Sequence, residues 1–489
     1  MKILLATLSI EPASRFEHNP NTAYSIGLAY IYSVLEKEGH EVKLLFLNNY
    51  DEDFSEKKLF ECFEKFKPDI VGFQIFSMNR ISTFNAIEKL IICSPLTRII
   101  IGGIHTSVMY EQIIQKYPHV IAVIGEGEYA VSELMKAFES NATLETVDGI
   151  AFYKNGRVVQ TKPRELIHDL DSIPFPKHEV FFDNEPGRTI GHIITSRGCP
   201  YDCSFCCLKV ISKRQYRRRD IANVVEEIKS LKQKYPRLNH IQMHDDTFLL
   251  DNSRVIQFCK MVIDANLELT FECSARVKPI SSEMFHWMEL AGFTKIMFGL
   301  ETGSEKLLKS IHKNVSKTDV INLFETLKPF KFAITTFLMC GFPGENNRTI
   351  SETINLVQTT QKIHYNWIAG VGKLWVYPGT EVYDLMKKAG QIDDDFWLSD
   401  NPVPYYTVEH NFEELVEFEN RIMDGVAIDR ILTLRGFKNH FLKMPIVIIK
   451  HILQNKIFVT AIIGSSLKQN FPKIHDHVHK LYKRNKVKI

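Results

Sequence analysis

The chain has 489 residues, of which 45% are hydrophobic, and its formal net charge is +2 at pH 7. This length suggests roughly two to four domains, and the near-zero charge argues against a protein that binds nucleic acid. No run approaches the roughly 18 consecutive apolar residues of a membrane span, and the first residues lack the long apolar core of a signal peptide. We therefore expect a cytoplasmic protein in a reducing compartment.

Residues 1–140 alternate apolar runs with amphipathic segments, which predicts an α/β, doubly wound Rossmann-like domain. Strands are expected at Lys2–Thr7, 42–47, 69–75, 98–101 and 120–124, with helices at 25–38, about 55–66, 82–93, 108–116 and 128–138. Ligands of such sheets bind at the carboxyl ends of the strands. The turns there contain Ser77, Gly102, Gly103, Gly125, Glu126 and Gly127. They are candidate ligand contacts, although glycine-rich turns are also common without a ligand.

Residues 141–187 are predicted to form a hairpin followed by a linker. Asn155-Gly156 separates two extended runs, which is a strong hairpin signal. Pro174 and Pro176 then favour an extended connection between domains.

Residues 188–390 repeat a strand–helix unit six times, which predicts a partial (β/α)6 TIM-like barrel. The expected strands are 189–195, 240–244, 267–273, 295–299, 332–339 and 367–376. Each predicted strand is followed by a polar or glycine-rich group. Functional residues of such barrels gather at these strand ends.

The loop after the first barrel strand contains Cys199, Cys203 and Cys206 in the spacing Cys-x3-Cys-x2-Cys. Three thiolates on one loop can hold three irons of a 4Fe–4S cluster and leave the fourth open to a small chelating molecule. Phe205 would shield the cluster from water. A disulfide, a zinc site or buried thiols are the alternatives. The nine scattered cysteines disfavour a disulfide, and zinc would need a fourth ligand, for which only the adjacent Cys207 is close.

This cysteine loop, with an aromatic residue before the third cysteine, resembles the signature of the radical S-adenosylmethionine (SAM) superfamily. The resemblance implies that the open iron binds SAM, which one electron cleaves to methionine and a 5′-deoxyadenosyl radical. It further implies an electron donor such as flavodoxin or ferredoxin.

Bound SAM would need hydrogen-bond acceptors and a cation. Glu301 is a candidate acceptor, Arg276 could bind the carboxylate, and Gly299 would allow close approach of the backbone. Asp245 and Asp246 could orient a substrate or the edge of a cofactor. For all four charged residues, a barrel-end ion pair or a helix N-cap is the alternative.

Residues 24–36 and 39–42, together with the Gly-Gly and Gly-Glu-Gly-Glu turns, resemble the cobalamin-binding domain that is fused to some radical SAM enzymes. The strings Asp-Asp-x-Phe, Gly-x-Glu-x-Gly and Gly-Phe-Pro-Gly-Glu extend this resemblance to about residue 390. The Asp-x-His-x-x-Gly motif is absent, which implies that no histidine of that motif ligates cobalt. His105 is either a neighbour of the lower cobalamin face or a solvated loop residue.

Residues 391–489 are expected to form a mostly helical, basic C-terminal domain. Between residues 431 and 489 there are twelve Lys or Arg and one acid, Asp476. The apolar runs among these charges fit a helical lid on the barrel, or an interfacial helix at the inner face of an anionic membrane. We expect no nucleic acid partner, because no recognition motif is present.

The resemblance implies a cobalamin-dependent methyltransferase that acts on an unactivated carbon of a small-molecule or lipid-like substrate. One alternative is a radical oxidation, cyclisation or rearrangement without methyl transfer. Another is a non-catalytic redox or SAM-binding protein.

Overall fold

The computed structural model describes residues 1–10, 19–364 and 366–432, and for residues 427–432 it describes the backbone alone. The predicted lid or interfacial helix in the basic C-terminal segment lies outside the described residues. None of the helices in the described part is long and apolar enough to cross a membrane.

The N-terminal half contains a seven-stranded sheet in the order β2-β1-β3-β4-β5-β6-β7, in which β1 to β5 are parallel. Its strands are β1 (Lys2–Thr7), β2 (Glu41–Phe46), β3 (Ile70–Gln74), β4 (Arg98–Gly102), β5 (Val120–Val123), β6 (Ile150–Lys154) and β7 (Arg157–Gln160). Its helices are α1 (Ile26–Lys37), α2 (Glu52–Phe66), α3 (Arg80–Cys93), α4 (Ile104–Lys116) and α5 (Glu128–Ser140). Helices α1 and α5 pack in one apolar cluster and α2 to α4 in another, so both faces of the sheet are covered. The predicted doubly wound fold is confirmed.

The hairpin β6–β7 belongs to this sheet, whereas the sequence assigned it to the linker. Strand β6 pairs antiparallel with β5, with Ala122 opposite Ala151. Ile150, Ala151 and Phe152 are buried. An isolated hairpin is only marginally stable in water, and pairing with the sheet edge buries its apolar side.

The second half contains a six-stranded, all-parallel sheet in the order β15-β14-β13-β12-β11-β8. Its strands are β8 (Ile190–Ile193), β11 (His240–Met243), β12 (Thr270–Ala275), β13 (Phe293–Glu301), β14 (Ala333–Cys340) and β15 (Trp367–Lys373). The short strands β9 (Ser196–Arg197) and β10 (Arg217–Arg218) form a separate antiparallel pair next to the cysteine loop. Six parallel strands joined through helices form the predicted partial barrel.

The remaining helices connect and cover the barrel strands. They are α6 (Glu179–Asn184), α7 (Leu208–Ser212), α8 (Ile221–Lys234), α9 (Asn252–Ala265), α10 (Ser282–Leu290), α11 (Glu305–Ser310), α12 (Lys317–Leu327), α13 (Asn347–Ile363), α14 (Glu381–Lys388) and α15 (Phe412–Leu432). Helix α15 packs on α13, β14 and β15, and buries Leu415, Phe418 and Ile422. The described part of the C-terminal region thus ends in a helix, as expected.

The two halves share their apolar cores. One cluster joins Tyr24 and Ile26 of the N-terminal half to Phe181 and to Ile193 on the first barrel strand. The other cluster joins α2, α3 and α4 to α11 and α14. Because the cores are continuous, the strand ends of the two sheets are held against each other, and the cavities described below lie between them.

Candidate active site

The cysteine loop is held at its base by the β9–β10 pair, in which Arg197 lies opposite Arg217. Gly198 follows β9 with φ = +88°, a conformation that favours glycine. A Cβ atom at this position would overlap the backbone carbonyl oxygen of Gln215. The sequence Arg-Gly-Cys therefore turns the chain sharply immediately before Cys199.

The three predicted cluster ligands are free thiols that lie near one another. Cys203 is buried, Cys199 and Cys206 are half-buried, and the backbone N–H of Cys206 donates to the Cys203 carbonyl at 3.0 Å. Burial, with smaller contributions from Cys207, Cys203 and Cys199, raises the pKa of the Cys206 thiol to about 11. Metal binding deprotonates such thiols. Three free thiols on one tight loop fit a 4Fe–4S cluster with one iron free of protein ligands.

Arg276 lies against this loop. Its Nη1 donates to Cys203 Sγ at 3.4 Å, its guanidinium lies 3.7 Å from the centre of the Tyr201 ring, and its Nη2 donates to the Lys313 carbonyl. The predicted contact of Arg276 with the SAM carboxylate stays a prediction, since both terminal nitrogens already contact the protein. Arg276 therefore places a positive charge next to a predicted ligand of the cluster.

Glu301 is paired with Lys313 instead of being a free acceptor. The two charges lie 2.6 Å apart, and their side chains are 8% and 6% exposed. Glu301 has φ = +66°, and a Cβ at Gly299 would lie 3.0 Å from Lys313 Nζ, so this part of the chain is tightly packed. Lys313, which lies in the loop after α11, is a partner that the sequence did not predict. The role of Glu301 and Gly299 in SAM binding stays a prediction.

Phe205 packs over the same region. Its ring lies 5.7 Å from that of Phe342, and Lys313 Nζ lies 5.8 Å from the ring centre. This position is consistent with the predicted shielding of the cysteine loop.

The two aspartates support the cysteine loop. Asp245 accepts hydrogen bonds from the Thr195 N–H, the Thr195 hydroxyl and the Ser196 hydroxyl at 2.5–2.6 Å. Asp246 accepts from the Gly198 N–H at 2.8 Å. Asp245 thus holds the chain before the cysteine loop through hydrogen bonds, and not through the ion pair or helix N-cap considered from the sequence, whereas Asp246 also lines the cavity described next.

A glycine-lined cavity of about 470 Å³ lies between the two halves. Its N-terminal wall contains Gly27, Gly72, Gly102, Gly103, Gly125, Glu126 and Gly127, and its barrel wall contains Arg197, Gly198, Leu208, Ile211, Arg217 and Asp246. The structure therefore brings five of the six N-terminal candidates together. A Cβ at Gly102 would have no neighbour closer than 3.9 Å, so this wall leaves room for a ligand.

Ser77, the sixth candidate, lines an adjoining cavity of about 390 Å³ together with Tyr24, His105, Cys207 and Tyr377. Phe76 and Ile104 line both cavities. Two adjoining, largely apolar cavities thus lie at the strand ends, where a cofactor such as cobalamin would bind. Cys207, considered from the sequence only as an unfavourable zinc ligand, lines this second cavity.

His105 is buried, so the alternative of a solvated loop residue is wrong. It is 1% exposed, its Nδ1 lies 2.9 Å from the Ser77 hydroxyl, and its Nε2 has no hydrogen-bond partner among the described residues. Burial, assisted by the nearby Arg80 charge, lowers the pKa of His105 to about 3. The imidazole is therefore neutral over the physiological range.

Glu126 makes ion pairs at the boundary between the halves. Its carboxylate accepts from Arg197 at 3.1 Å, from Arg217 at 2.7 Å and from the Ile167 N–H at 2.9 Å. Arg197 also pairs with Glu128 at 2.7 Å. Glu126 was predicted from the sequence as a cofactor contact, and these ion-pair partners were not predicted.

Comparison with known proteins agrees with this architecture. Residues 193–357 match the radical SAM superfamily, and residues 18–135 match the B12 binding domain. An uncharacterized methyltransferase of Pyrococcus horikoshii is 27% identical over 78% of this chain and 83% of its own. Cytidylyl-2-hydroxyethylphosphonate methyltransferase of Streptomyces wedmorensis is 26% identical over 72% of this chain and 75% of its own. The anaerobic magnesium-protoporphyrin IX monomethyl ester cyclase of Rubrivivax gelatinosus is 24% identical over 86% of this chain and 74% of its own.

Two solved structures share the fold. The cobalamin-dependent SAM radical enzyme OxsB, with aqua-cobalamin and SAM bound, superposes with a TM-score of 0.72 at 17% identity, over 99% of this chain and 75% of its own. The radical SAM methyltransferase TsrM from Kitasatospora setae superposes with a TM-score of 0.66 at 17% identity, over 86% of this chain and 83% of its own. The chain thus carries a radical SAM domain beside a B12 binding domain, the two-domain arrangement of the cobalamin-dependent radical SAM enzymes, and its cofactors are a 4Fe–4S cluster, SAM and cobalamin.

Proposed function

We propose that this enzyme transfers a methyl group to an unactivated carbon of a small-molecule substrate. The observation that carries the proposal is the shared wall between the two sites. Gly198, adjacent to Cys199, lines the same cavity as Gly102 and Gly103. When bound, the cluster with SAM supplies a 5′-deoxyadenosyl radical and cobalamin supplies a methyl group. Two relatives named as methyltransferases support this reading.

The residues of the chain have distinct parts in this scheme. Cys199, Cys203 and Cys206 would hold three irons, and Arg276 places positive charge next to Cys203 Sγ. Phe205, packed near Phe342, limits access of water to the loop. The glycine-lined cavity would hold cobalamin at the N-terminal strand ends.

Radical cyclisation or rearrangement without methyl transfer is the second candidate. It is favoured by the cyclase of Rubrivivax gelatinosus, which matches more of this chain than either methyltransferase does. Product analysis separates the two candidates. Anaerobic incubation with SAM, cobalamin and a reductant should yield 5′-deoxyadenosine for both, and S-adenosylhomocysteine for methyl transfer alone.

The cluster assignment is tested with Cys203→Ala and Cys207→Ala. We expect Cys203→Ala to lose the brown cluster absorbance, most of the bound iron and the 5′-deoxyadenosine product, since it removes a ligand. Cys207→Ala should keep the cluster. Equal iron content in the two variants would refute the assignment of Cys203.

The cobalamin assignment is tested with Gly102→Leu. The added side chain would extend into the open space of the cavity, so cobalamin retention after gel filtration should fall while iron content stays normal. Gly372→Leu is the control, because a Cβ at Gly372 on β15 also has no close neighbour but lies outside this cavity. Undiminished cobalamin in Gly102→Leu would contradict the assignment.

Three partner assignments rest on the sequence and the chemistry. Reduction of the cluster requires one electron, and flavodoxin or ferredoxin is the predicted donor. The basic segment 433–489 supports a peripheral contact with the inner face of the membrane and a lipid-like substrate, within a cytoplasmic location.

Co-sedimentation with anionic liposomes tests the membrane contact. Binding should fall when five basic residues are changed together to Gln, namely Lys480, Lys483, Arg484, Lys486 and Lys488. Unchanged binding would exclude a membrane contact through these residues.

A further inference from the structure

Four charged residues form an ion-pair network where the two halves meet, here named the arginine–glutamate junction. Its members are Arg197 on β9, Arg217 on β10, Glu126 in the turn after β5, and Glu128 at the start of α5. Arg197 bridges the two carboxylates, with Nη1 3.1 Å from Glu126 and Nη2 2.7 Å from Glu128. Arg217 Nη1 binds the other oxygen of Glu126 at 2.7 Å.

The junction is buried, which makes its geometry demanding. The side chains of Glu126, Glu128 and Arg217 are 5–7% exposed, and that of Arg197 is 16% exposed. The Tyr30 ring lies 4.9 Å from the Arg197 guanidinium. Buried charges are tolerated when each has a partner with good geometry, so displacing one member leaves another uncompensated. A planar guanidinium that contacts two carboxylates fixes orientation as well as distance.

The position of the junction connects the two cofactor sites. Arg197 is two residues before Cys199, and Glu126 and Glu128 flank Gly127 in the wall of the glycine-lined cavity. All four members line that cavity. A shift of the turn after β5 would therefore move Arg197 and, with it, the start of the cysteine loop.

We infer that the arginine–glutamate junction sets the distance and orientation between the cluster loop and the cobalamin cavity, with Arg197 as a positioning residue. This inference rests on the proposed function, which needs both cofactors to address one substrate carbon. Reacting groups must approach to roughly 3–3.5 Å, and a misplacement of about 1 Å can cost on the order of 100-fold in rate. Ion pairs that couple the two sites would hold that alignment.

The test measures geometry directly and does not need the substrate. Arg197→Lys keeps the charge, but a single ammonium lacks the planar fork that binds both carboxylates. In protein loaded with cluster and cobalamin, pulsed EPR reports the dipolar coupling between the reduced cluster and cob(II)alamin. We expect Arg197→Lys and Glu128→Gln to broaden and shift this coupling in the molecules that carry both the cluster and cob(II)alamin, and partial loss of either cofactor does not change this readout.

Arg164→Lys is the matched control. Arg164 also pairs through two nitrogens with one glutamate, Glu133 on α5, but it contacts no residue of the cysteine loop. Its coupling should equal that of wild type. Wild-type coupling in both Arg197→Lys and Glu128→Gln would overturn the inference. A wild-type protein that retains its cluster but binds no cobalamin would instead contradict the proposed function, and the inference with it.

Discussion

At the scale of single residues, Lys313 changes the interpretation of Glu301. The sequence pointed to Glu301 as an acceptor for SAM, but its carboxylate accepts from a buried ammonium at 2.6 Å. A buried ion pair adds little net stability, but removing one of its two partners is strongly destabilising. Any part that Glu301 takes in SAM binding therefore involves Lys313 as well.

Glu301→Gln should lower the free energy of unfolding by about 3–5 kcal/mol, because it leaves the Lys313 ammonium buried without its counter-charge. Urea denaturation under anaerobic conditions measures this loss. The double variant Glu301→Gln/Lys313→Met should recover part of it, since both charges are then absent. Equal stability of the single variant and wild type would show that the pair is not coupled.

His105 predicts a specific dependence of stability on pH. Its pKa of about 3 in the folded state lies below the ordinary histidine value of about 6.5, so between these values the unfolded chain binds a proton that the folded chain does not. Stability should therefore fall as the pH falls through this window, by up to about 1.4 kcal/mol per pH unit. His105→Gln should make the slope of stability against pH shallower by that amount.

Other buried groups make the comparison with wild type necessary. Burial lowers the pKa of His192 and His244, so these residues, like His105, make the folded state less stable as the pH falls. Burial raises the pKa of Glu345 to about 7. Between about pH 4.5 and 7, Glu345 therefore makes the folded state more stable as the pH falls, opposite to His105. The difference between His105→Gln and wild type cancels these contributions, and an identical slope in the two proteins would contradict the prediction.

At the scale of elements, the β9–β10 pair and Gly198 determine the shape of the cysteine loop. The backbone there combines φ = +88° with close approach to the Gln215 carbonyl, so a methyl group cannot be accommodated without moving the segment that precedes β10. Asp246 accepts from the Gly198 N–H and fixes the same turn.

Gly198→Ala should therefore lose most of its bound iron and sulfide after anaerobic reconstitution, although all three cysteines remain. Gly156→Ala is the matched control: Gly156 has φ = +82°, but a Cβ there has nothing within 4 Å. The control separates the cost of the backbone conformation from the steric overlap. A full cluster in Gly198→Ala would show that the turn is not required.

At the scale of the whole molecule, a chain of buried contacts joins the two halves through Tyr24. Its hydroxyl lies 2.6 Å from His178 Nδ1 and accepts from the His192 N–H at 3.3 Å. His178 Nε2 lies 2.8 Å from Glu227, which also pairs with Arg219 at 2.5 Å. The network thus links the start of α1, the connecting segment, β8 and α8.

Tyr24→Phe should destabilise the protein by about 1–3 kcal/mol, because the His178 nitrogen and the His192 N–H lose their partner in a buried place. Hydrogen exchange should increase in β8 and at the start of α1, and urea denaturation measures the loss of stability. Tyr153→Phe, at an exposed position of β6, should leave both measurements unchanged. Unaltered exchange in Tyr24→Phe would show that the contact does not hold the halves together.

The features that the sequence predicted correctly depend on neighbours along the chain. Local geometry follows from the spacing of the cysteines, the glycines of the turns and the alternation of apolar residues. These patterns located the cysteine loop, the strand ends and the two α/β halves. The hairpin itself was also found from Asn155-Gly156, although its attachment to β5 was not.

Contacts between distant residues were decided by the tertiary structure alone. Arg197 and Glu126 are 71 residues apart, and the partner of the Tyr24 hydroxyl, His178, is 154 residues away. Even Lys313, 12 residues from Glu301, lies in the loop after α11, whereas Glu301 is the last residue of β13. No periodic pattern connects such pairs, because their approach depends on how the two sheets pack. The sequence by itself thus determined which chemistry the chain carries, and the packing of one half on the other decided which charges are paired and how the cysteine loop faces the glycine-lined cavity.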